Sequence, residues 1–188
     1  VGAQNVTVVL VTGAARSGKS ALAERMAARQ AERLGLRQVV YIATAQASDD
    51  EMALRIRRHR ETRPADWRTV EEPLDVAAIV ARERASPVIV IDCLALLLNN
   101  WMFIDECDEA GFASRRDELV SCIAEHPGVI VCVTNEVGSG IVPADPATRR
   151  YRDWLGWLNQ AVASRANRVL LVVAGIPVDL RQLEARLS

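Results

Sequence analysis

The eight residues GAARSGKS, Gly13 to Ser20, have the chemistry of a phosphate cradle. They spell G-x-x-x-x-G-K-[ST], with an apolar strand-like run before and a helical segment after, the context this motif requires. Gly13 and Gly18 permit a tight loop whose backbone N–H groups point inward at an anion. The helix that follows adds the positive end of its dipole. Lys19 then brings a compact charge to the β- and γ-phosphates, and Ser20 offers its hydroxyl to Mg2+. Lys19 is also the only lysine in the chain. Where arginine serves at every other basic position, a lysine that persists marks a place a planar guanidinium does not fit. A second acid suits the same chemistry: PVIVIDC (87–93) is an apolar run that ends on Asp92, as a strand-end Mg2+ partner would. Asp92 also reads as an N-cap for the helix LALLLNN, and the two roles can coexist.

A second stretch, RIRRHRETRPADW (55–67), places His59 among five arginines. Met52, Ile56 and His59 fall at i, i+4 and i+7, one face of a helix that starts near Ser48 to Asp50 and ends at Pro64. On this spacing Arg57 and Arg60 point elsewhere, while Arg55 and Arg63 flank the stripe. A histidine on an apolar stripe can simply be a satisfied core residue. Beside a phosphate cradle it has another use. Cationic neighbours disfavour imidazolium and keep the ring neutral, its nucleophilic form. The same guanidiniums bind phosphate oxygens and spread charge developing at phosphorus. A neutral His59 could then attack an α-phosphate and carry the nucleotidyl group as a phosphoramidate. The other histidine, His126 in AEHPG, reads as the C-terminal cap of a helix.

The elements that must position these groups follow from periodicity. Five continuous apolar runs (6–12, 38–44, 87–92, 128–134 and 168–174) have the pattern of parallel strands buried on both faces. Helical segments are expected at 18–35, 49–62, 73–85, 93–103, 114–126 and 146–166. The alternation predicts a three-layer α/β sandwich, one domain over residues 1–188, with functional residues beyond the carboxyl ends of the strands. Strand two leaves through Thr44, and strand four through Asn135 and Glu136 into a loop with Gly138 and Gly140. The segment CLALLLNNWMF (93–103) is apolar around much of a helix, with Trp101 and Phe103 at its end. That is more than one buried face needs, and it suggests a subunit contact; the alternative is a central core helix.

Composition narrows the function. Net charge is −1, which gives no support to a large nucleic-acid footprint. The four cysteines, Cys93, Cys107, Cys122 and Cys132, are widely spaced without metal-ligand spacing, as for reduced thiols in a cytoplasmic protein. No signal peptide is read ahead of the first strand, and no apolar run is long enough to span a bilayer.

Taken together, GAARSGKS, YIAT, DDEMALRIRRHRETRPADWRTVE, the DCL strand end and TNEVGSGIVP with RRYRDWLGWLNQ resemble the bifunctional adenosylcobinamide kinase/adenosylcobinamide-phosphate guanylyltransferase family of cobalamin synthesis. The likeness runs from about Val8 to Gly175. It implies a RecA-like P-loop NTPase fold with a mostly parallel central sheet, and a homotrimer. It implies phosphorylation of adenosylcobinamide by ATP or GTP, then transfer of GMP from GTP to the new phosphate through a guanylylated histidine. By position the nucleophile matches His59. The GTP site matches Gly13, Ala14, Ala15, Arg16, Ser17, Gly18, Lys19 and Ser20; Ala43, Thr44 and Ala45; Arg60, Glu61, Thr62 and Arg63; Glu71; and Asp92. Ser20 and Asp92 are the residues expected to face Mg2+. Two departures stand out: Ala14 where the family often has glycine, and Arg58 where some relatives carry an additional histidine, which leaves His59 alone. Two rivals remain at this point: a regulatory or motor ATPase with a structural His59, which would form no covalent nucleotide, and a small-molecule kinase without guanylylation.

Overall fold

The computed structural model describes residues 7–47, 49–61 and 63–185, with the backbone alone for Arg55, Arg58 and His59. Ser48 and Thr62, named above, lie outside the described residues. Strands β1 (Thr7–Gly13), β2 (Val40–Ala43), β3 (Arg68–Glu71), β4 (Val88–Asp92), β5 (Val129–Val133), β6 (Arg168–Val173) and β7 (Ile176–Asp179) form one sheet in the order β3-β2-β4-β5-β1-β6-β7. Every pairing is parallel except β6 with β7. Continuous apolar sequence in β1, β4 and β5 is what the two-sided burial of a parallel sheet demands, and those strands are almost wholly buried.

Six helices complete the three layers: α1 (Lys19–Arg33), α2 (Asp50–Glu61), α3 (Val76–Arg82), α4 (Leu94–Phe103), α5 (Glu109–Glu125) and α6 (Pro146–Arg165). Helix α1 lies across β1, β4 and β5, with Ala23, Ala27 and Ala31 inward, small residues that let the helix approach the sheet closely. Helices α4 and α5 each pack on α6, which reaches β1, and α3 packs on α5. Short acids start four of the helices, Asp49 for α2, Asp75 for α3, Asp108 for α5 and Asp145 for α6, each accepting from a backbone N–H of the first turn.

Two strands were not expected from periodicity. β3 is four half-exposed residues whose strand character comes from pairing with β2. β7 is an edge strand that carries Pro177, a residue a central strand would exclude. The start of α5 lies ahead of the expected 114, because Asp108 caps it and Gly111 interrupts the apolar pattern.

The apolar helix α4 takes its alternative reading. Leu94, Ala95, Leu97, Leu98, Asn100, Trp101 and Met102 are all buried within the chain, where α4 packs on α6 and bonds through Asn100 and Trp101 to the Thr44, Pro73 and Leu74 carbonyls. Only its end, Phe103 with Ile104, is exposed. Any subunit contact made by α4 would run through that exposed end. Asp92 does not cap this helix either: Cys93 holds the cap position, with no side-chain bond.

His126 stands at the C-cap of α5, as expected, and does more. Its buried ring accepts the Gly128 N–H at Nδ1 (3.1 Å), so the neutral tautomer donates from Nε2 to the Glu83 carbonyl (3.1 Å). Burial lowers its pKa from the ordinary 6.5. The folded state thus prefers the neutral ring, and its contribution is complete above pH 6.5 and lost as pH falls toward the lowered folded value. We expect His126→Asn to cost about 1–3 kcal/mol at pH 7.5 in urea unfolding. The gap between wild type and variant should narrow at pH 5.5.

Candidate active site

The sheet register sets the site. Ala43, the last residue of β2, stands opposite Glu71 on one side and Asp92 on the other, and Asp92 stands opposite Val133. The carboxyl ends of four strands therefore form one row, and beyond it opens a cavity of about 540 Å3. Its walls are Lys19 and Ser20 from the first turn of α1, Ala43, Ala45, Gln46 and Ala47 after β2, and Met52, Ile56, Arg60 and Arg63 from α2 and its exit. Glu71, Pro73, Asp92, Cys93, Leu96 and Asn135 close it.

The loop from Gly13 to Gly18 is held by features that only glycine permits. A Cβ on Gly13 would stand 2.5 Å from the Val172 carbonyl oxygen of β6, a clash with backbone that cannot yield. Gly18 sits at φ 93° to begin α1, against Gly175. The β6–β7 turn buttresses the loop through the Gly175 N–H, which donates to Ser17 O at 2.9 Å. Arg16 also adopts positive φ, at 56°. On this scaffold Lys19 is buried and donates from Nζ to the Ala14 carbonyl at 3.1 Å, lying along the loop it would serve.

Asp92 faces the start of α1 and the middle of β2. Its Oδ1 lies 3.5 Å from Ser20 Oγ, and its Oδ2 accepts a hydrogen bond from the Tyr41 hydroxyl. Tyr41 is fully buried beside Trp67, with the Arg63 guanidinium 3.6 Å over its ring; burial first, and Asp92 second, push its pKa up, so it remains a neutral donor. Arg63 Nη1 also donates to Thr69 Oγ1 at 3.3 Å. Glu24, one turn beyond Ser20, has its carboxyl pKa raised by burial and then by the charge of Asp92. Burial pushes the Cys93 thiol up to about 12, so it is no thiolate nucleophile at neutral pH.

Most of the expected site residues converge. Lys19, Ser20, Ala43, Ala45, Arg60, Arg63, Glu71 and Asp92 all border the cavity, and Gly13 to Gly18 form the loop beneath it. Thr44 does not: its buried hydroxyl is turned onto Cys93, accepting from the backbone N–H and donating to the carbonyl, both at 2.8 Å. Glu61 is exposed outside the cavity. Arg60 corrects the helical reading: one turn beyond Ile56, it reaches the cavity and pairs with Glu71 Oε1 at 3.3 Å rather than pointing elsewhere. Met52 and Ile56 face the cavity as their spacing required, and Asp49 caps α2 by accepting from the Met52 N–H at 2.7 Å. His59 follows Ile56 on the α2 backbone; its side chain lies outside the described residues. Gln46, Ala47, Pro73 and Leu96 were not anticipated. Tyr41 was legible only as a member of YIAT, two residues before Ala43 and so on its face of the strand.

A phosphate-binding loop between strand and helix, a strand-end acid beside its hydroxyl and a cavity at the carboxyl edge of a parallel sheet define an α/β enzyme of the P-loop NTPase class. Residues 9–180 match the family model described as cobinamide kinase / cobinamide phosphate guanyltransferase, and the chain belongs to that family. It is 49% identical to the bifunctional adenosylcobalamin biosynthesis protein CobP of Pseudomonas aeruginosa, over 92% of this chain and 96% of that one. It is 39% identical to the bifunctional adenosylcobalamin biosynthesis protein CobU of Escherichia coli and 38% identical to that of Salmonella typhimurium, over 93% of this chain and 99% of each relative.

Replacing Lys19 by alanine should weaken triphosphate binding about ten- to a hundred-fold, the loss of one charge-assisted contact of roughly 1.5–3 kcal/mol. Equilibrium dialysis with GTP measures this, and an unchanged thermal midpoint separates it from misfolding.

Proposed function

We propose that one domain over residues 1–188 carries out two phosphorus-centred reactions in cobalamin synthesis, through the cavity that joins the Lys19 cradle to helix α2. That juxtaposition is the observation that carries the reading. In the first reaction the adenosylcobinamide hydroxyl oxygen attacks the γ-phosphorus of ATP or GTP. The bond to the β-bridging oxygen breaks, the nucleoside diphosphate leaves, and the hydroxyl proton passes to solvent. In the second, the neutral His59 imidazole attacks the α-phosphorus of GTP and expels pyrophosphate. The phosphate oxygen of adenosylcobinamide phosphate then attacks the same phosphorus, the P–N bond breaks, and adenosylcobinamide-GDP leaves with His59 restored.

Each part of the cavity has a task in this scheme. The loop N–H groups and Lys19 hold the phosphates, and Arg60 and Arg63 stand where they can take charge that develops at phosphorus. Met52, Ile56 and Leu96 supply apolar wall for a base or a corrinoid arm. Ser20 and Asp92 suit Mg2+: both present hard oxygens, 3.5 Å apart, at the wall of the cavity. No three His, Cys, Asp or Glu side chains converge as a metal cage among the described residues, and an ion held largely by phosphate and water needs none. When bound, Mg2+ neutralises charge on the triphosphate.

The cytoplasm and a homotrimer complete the proposal. Among the described residues no helix is long and apolar enough to cross a membrane. Apolar side chains stand in solvent on the loop after β5, where Ile141 is 97% exposed, and along the edge strand β7, where Ile176 is 67% exposed. Light scattering should give about three times the 20.6 kDa of one chain, and Ile176→Asp should shift the mass downward. A mass of one chain at every concentration ends the trimer reading.

The covalent step has its own test. GTP labelled at the α-phosphate should leave label on the protein that is lost in acid and kept in alkali, since protonating a phosphoramidate nitrogen makes a good leaving group. His59→Ala should abolish labelling and guanylyl transfer while phosphorylation persists in part. His126→Ala should do neither. Acid-labile label on folded His59→Ala protein would overturn the assignment.

A further inference from the structure

The Asp92 carboxylate has two oxygens with different surroundings. Oδ1 lies 3.5 Å from Ser20 Oγ, beyond a good O–H···O distance, so Ser20 alone does not fix it. Oδ2 accepts from Tyr41. In the parallel ladder Tyr41 stands opposite Val90, and Asp92 is two residues on, so both side chains leave the same face of the sheet as diagonal neighbours. The phenol cannot turn away. Trp67 flanks its ring with centroids 6.2 Å apart, and the Arg63 guanidinium lies 3.6 Å over it.

We infer that Tyr41 is a positioning residue for the transfer reactions: its hydroxyl holds one oxygen of Asp92 and leaves the other for Ser20 and the divalent cation. The inference rests on the reading of Asp92 as the metal-facing acid. A phenol suits this task for a physical reason. A neutral donor orients the carboxylate without cancelling the charge that attracts the cation, whereas an ammonium or guanidinium there would offset it.

Tyr41→Phe removes the hydroxyl and keeps the ring between Trp67 and Arg63, so the variant should fold. Calorimetric titration with GTP at a series of Mg2+ concentrations isolates the effect. Binding without Mg2+ should match wild type, while the Mg2+ needed for half of the Mg2+-dependent tightening should rise about tenfold, the weight of one hydrogen bond to a charged group. Turnover at subsaturating Mg2+ should fall and recover when Mg2+ is raised. In an Asp92→Ala background the added Tyr41→Phe should change the Mg2+ dependence no further, since the two residues act as one unit. An unchanged Mg2+ requirement in Tyr41→Phe, or a loss equally large without Mg2+, overturns the inference. Should Asp92→Ala alone leave the Mg2+ requirement intact, the reading of Asp92 falls, and this inference with it.

Discussion

Ala43 is hydrogen-bonded in parallel register to β3 on one side and β4 on the other, and that register decides where the chemistry sits. Successive strand residues alternate between faces, so a slip of one position in β4 would turn Asp92 away from α1 and put Ile91 in its place. The buried runs of β1, β4 and β5 oppose such a slip, because Val8 to Val11, Val88 to Ile91 and Val129 to Val133 already pack into the core. Core burial thus fixes the site indirectly. The apolar strands hold the ladder, and the ladder brings one acid and one phenol to the same point beside Ser20.

The loop depends on a second close approach. Gly13 lies so near the Val172 carbonyl that no side chain fits between β1 and β6, and the β6–β7 turn reaches back to Ser17 through the Gly175 N–H. The antiparallel hairpin at the edge of the sheet therefore supports the cradle at its centre. This explains a feature otherwise puzzling in β7: a short, exposed strand containing proline contributes little pairing energy, yet it holds in place the turn on which the loop rests. The Arg168–Asp179 pair, 2.8 Å across β6 and β7, fastens the same hairpin.

Legibility in the sequence follows the range of the interaction. The Gly13–Ser20 loop is local, so GAARSGKS declares its own turn and the start of its helix. Buried parallel strands were equally plain, since two-sided burial writes itself as continuous apolar runs. β3 was hidden because RTVE has no apolar pattern of its own; its pairing with β2 makes it a strand. Helix α4 misled for the converse reason. Its apolarity is satisfied inside the chain by α6 and the Pro73–Leu74 segment, which no local pattern reveals. Thr44 belonged to the expected site by position, yet its hydroxyl is consumed by Cys93. The bond from Tyr41 to Asp92 joins residues far apart in sequence and needed the register to be seen.

Helix α2 presents a different balance of forces from the rest of the fold. It carries His59, yet the ties at its C-terminal end are polar and largely on the surface. The Arg60–Glu71 pair has side chains 68% and 61% exposed, and pairs so exposed to water contribute little. The stronger anchor is Arg63, whose guanidinium is laid on the buried Tyr41 ring and bonded to Thr69, just past the end of the helix. Among the described side chains, this hold on the exit of α2 rests on the same phenol that holds Asp92. The two proposed reactions consume two triphosphates in turn, one attacked at its γ-phosphorus by the substrate hydroxyl and the other at its α-phosphorus by His59. In that proposed scheme both triphosphates are seated by the same loop, so the choice of phosphorus falls to whichever nucleophile is positioned against it.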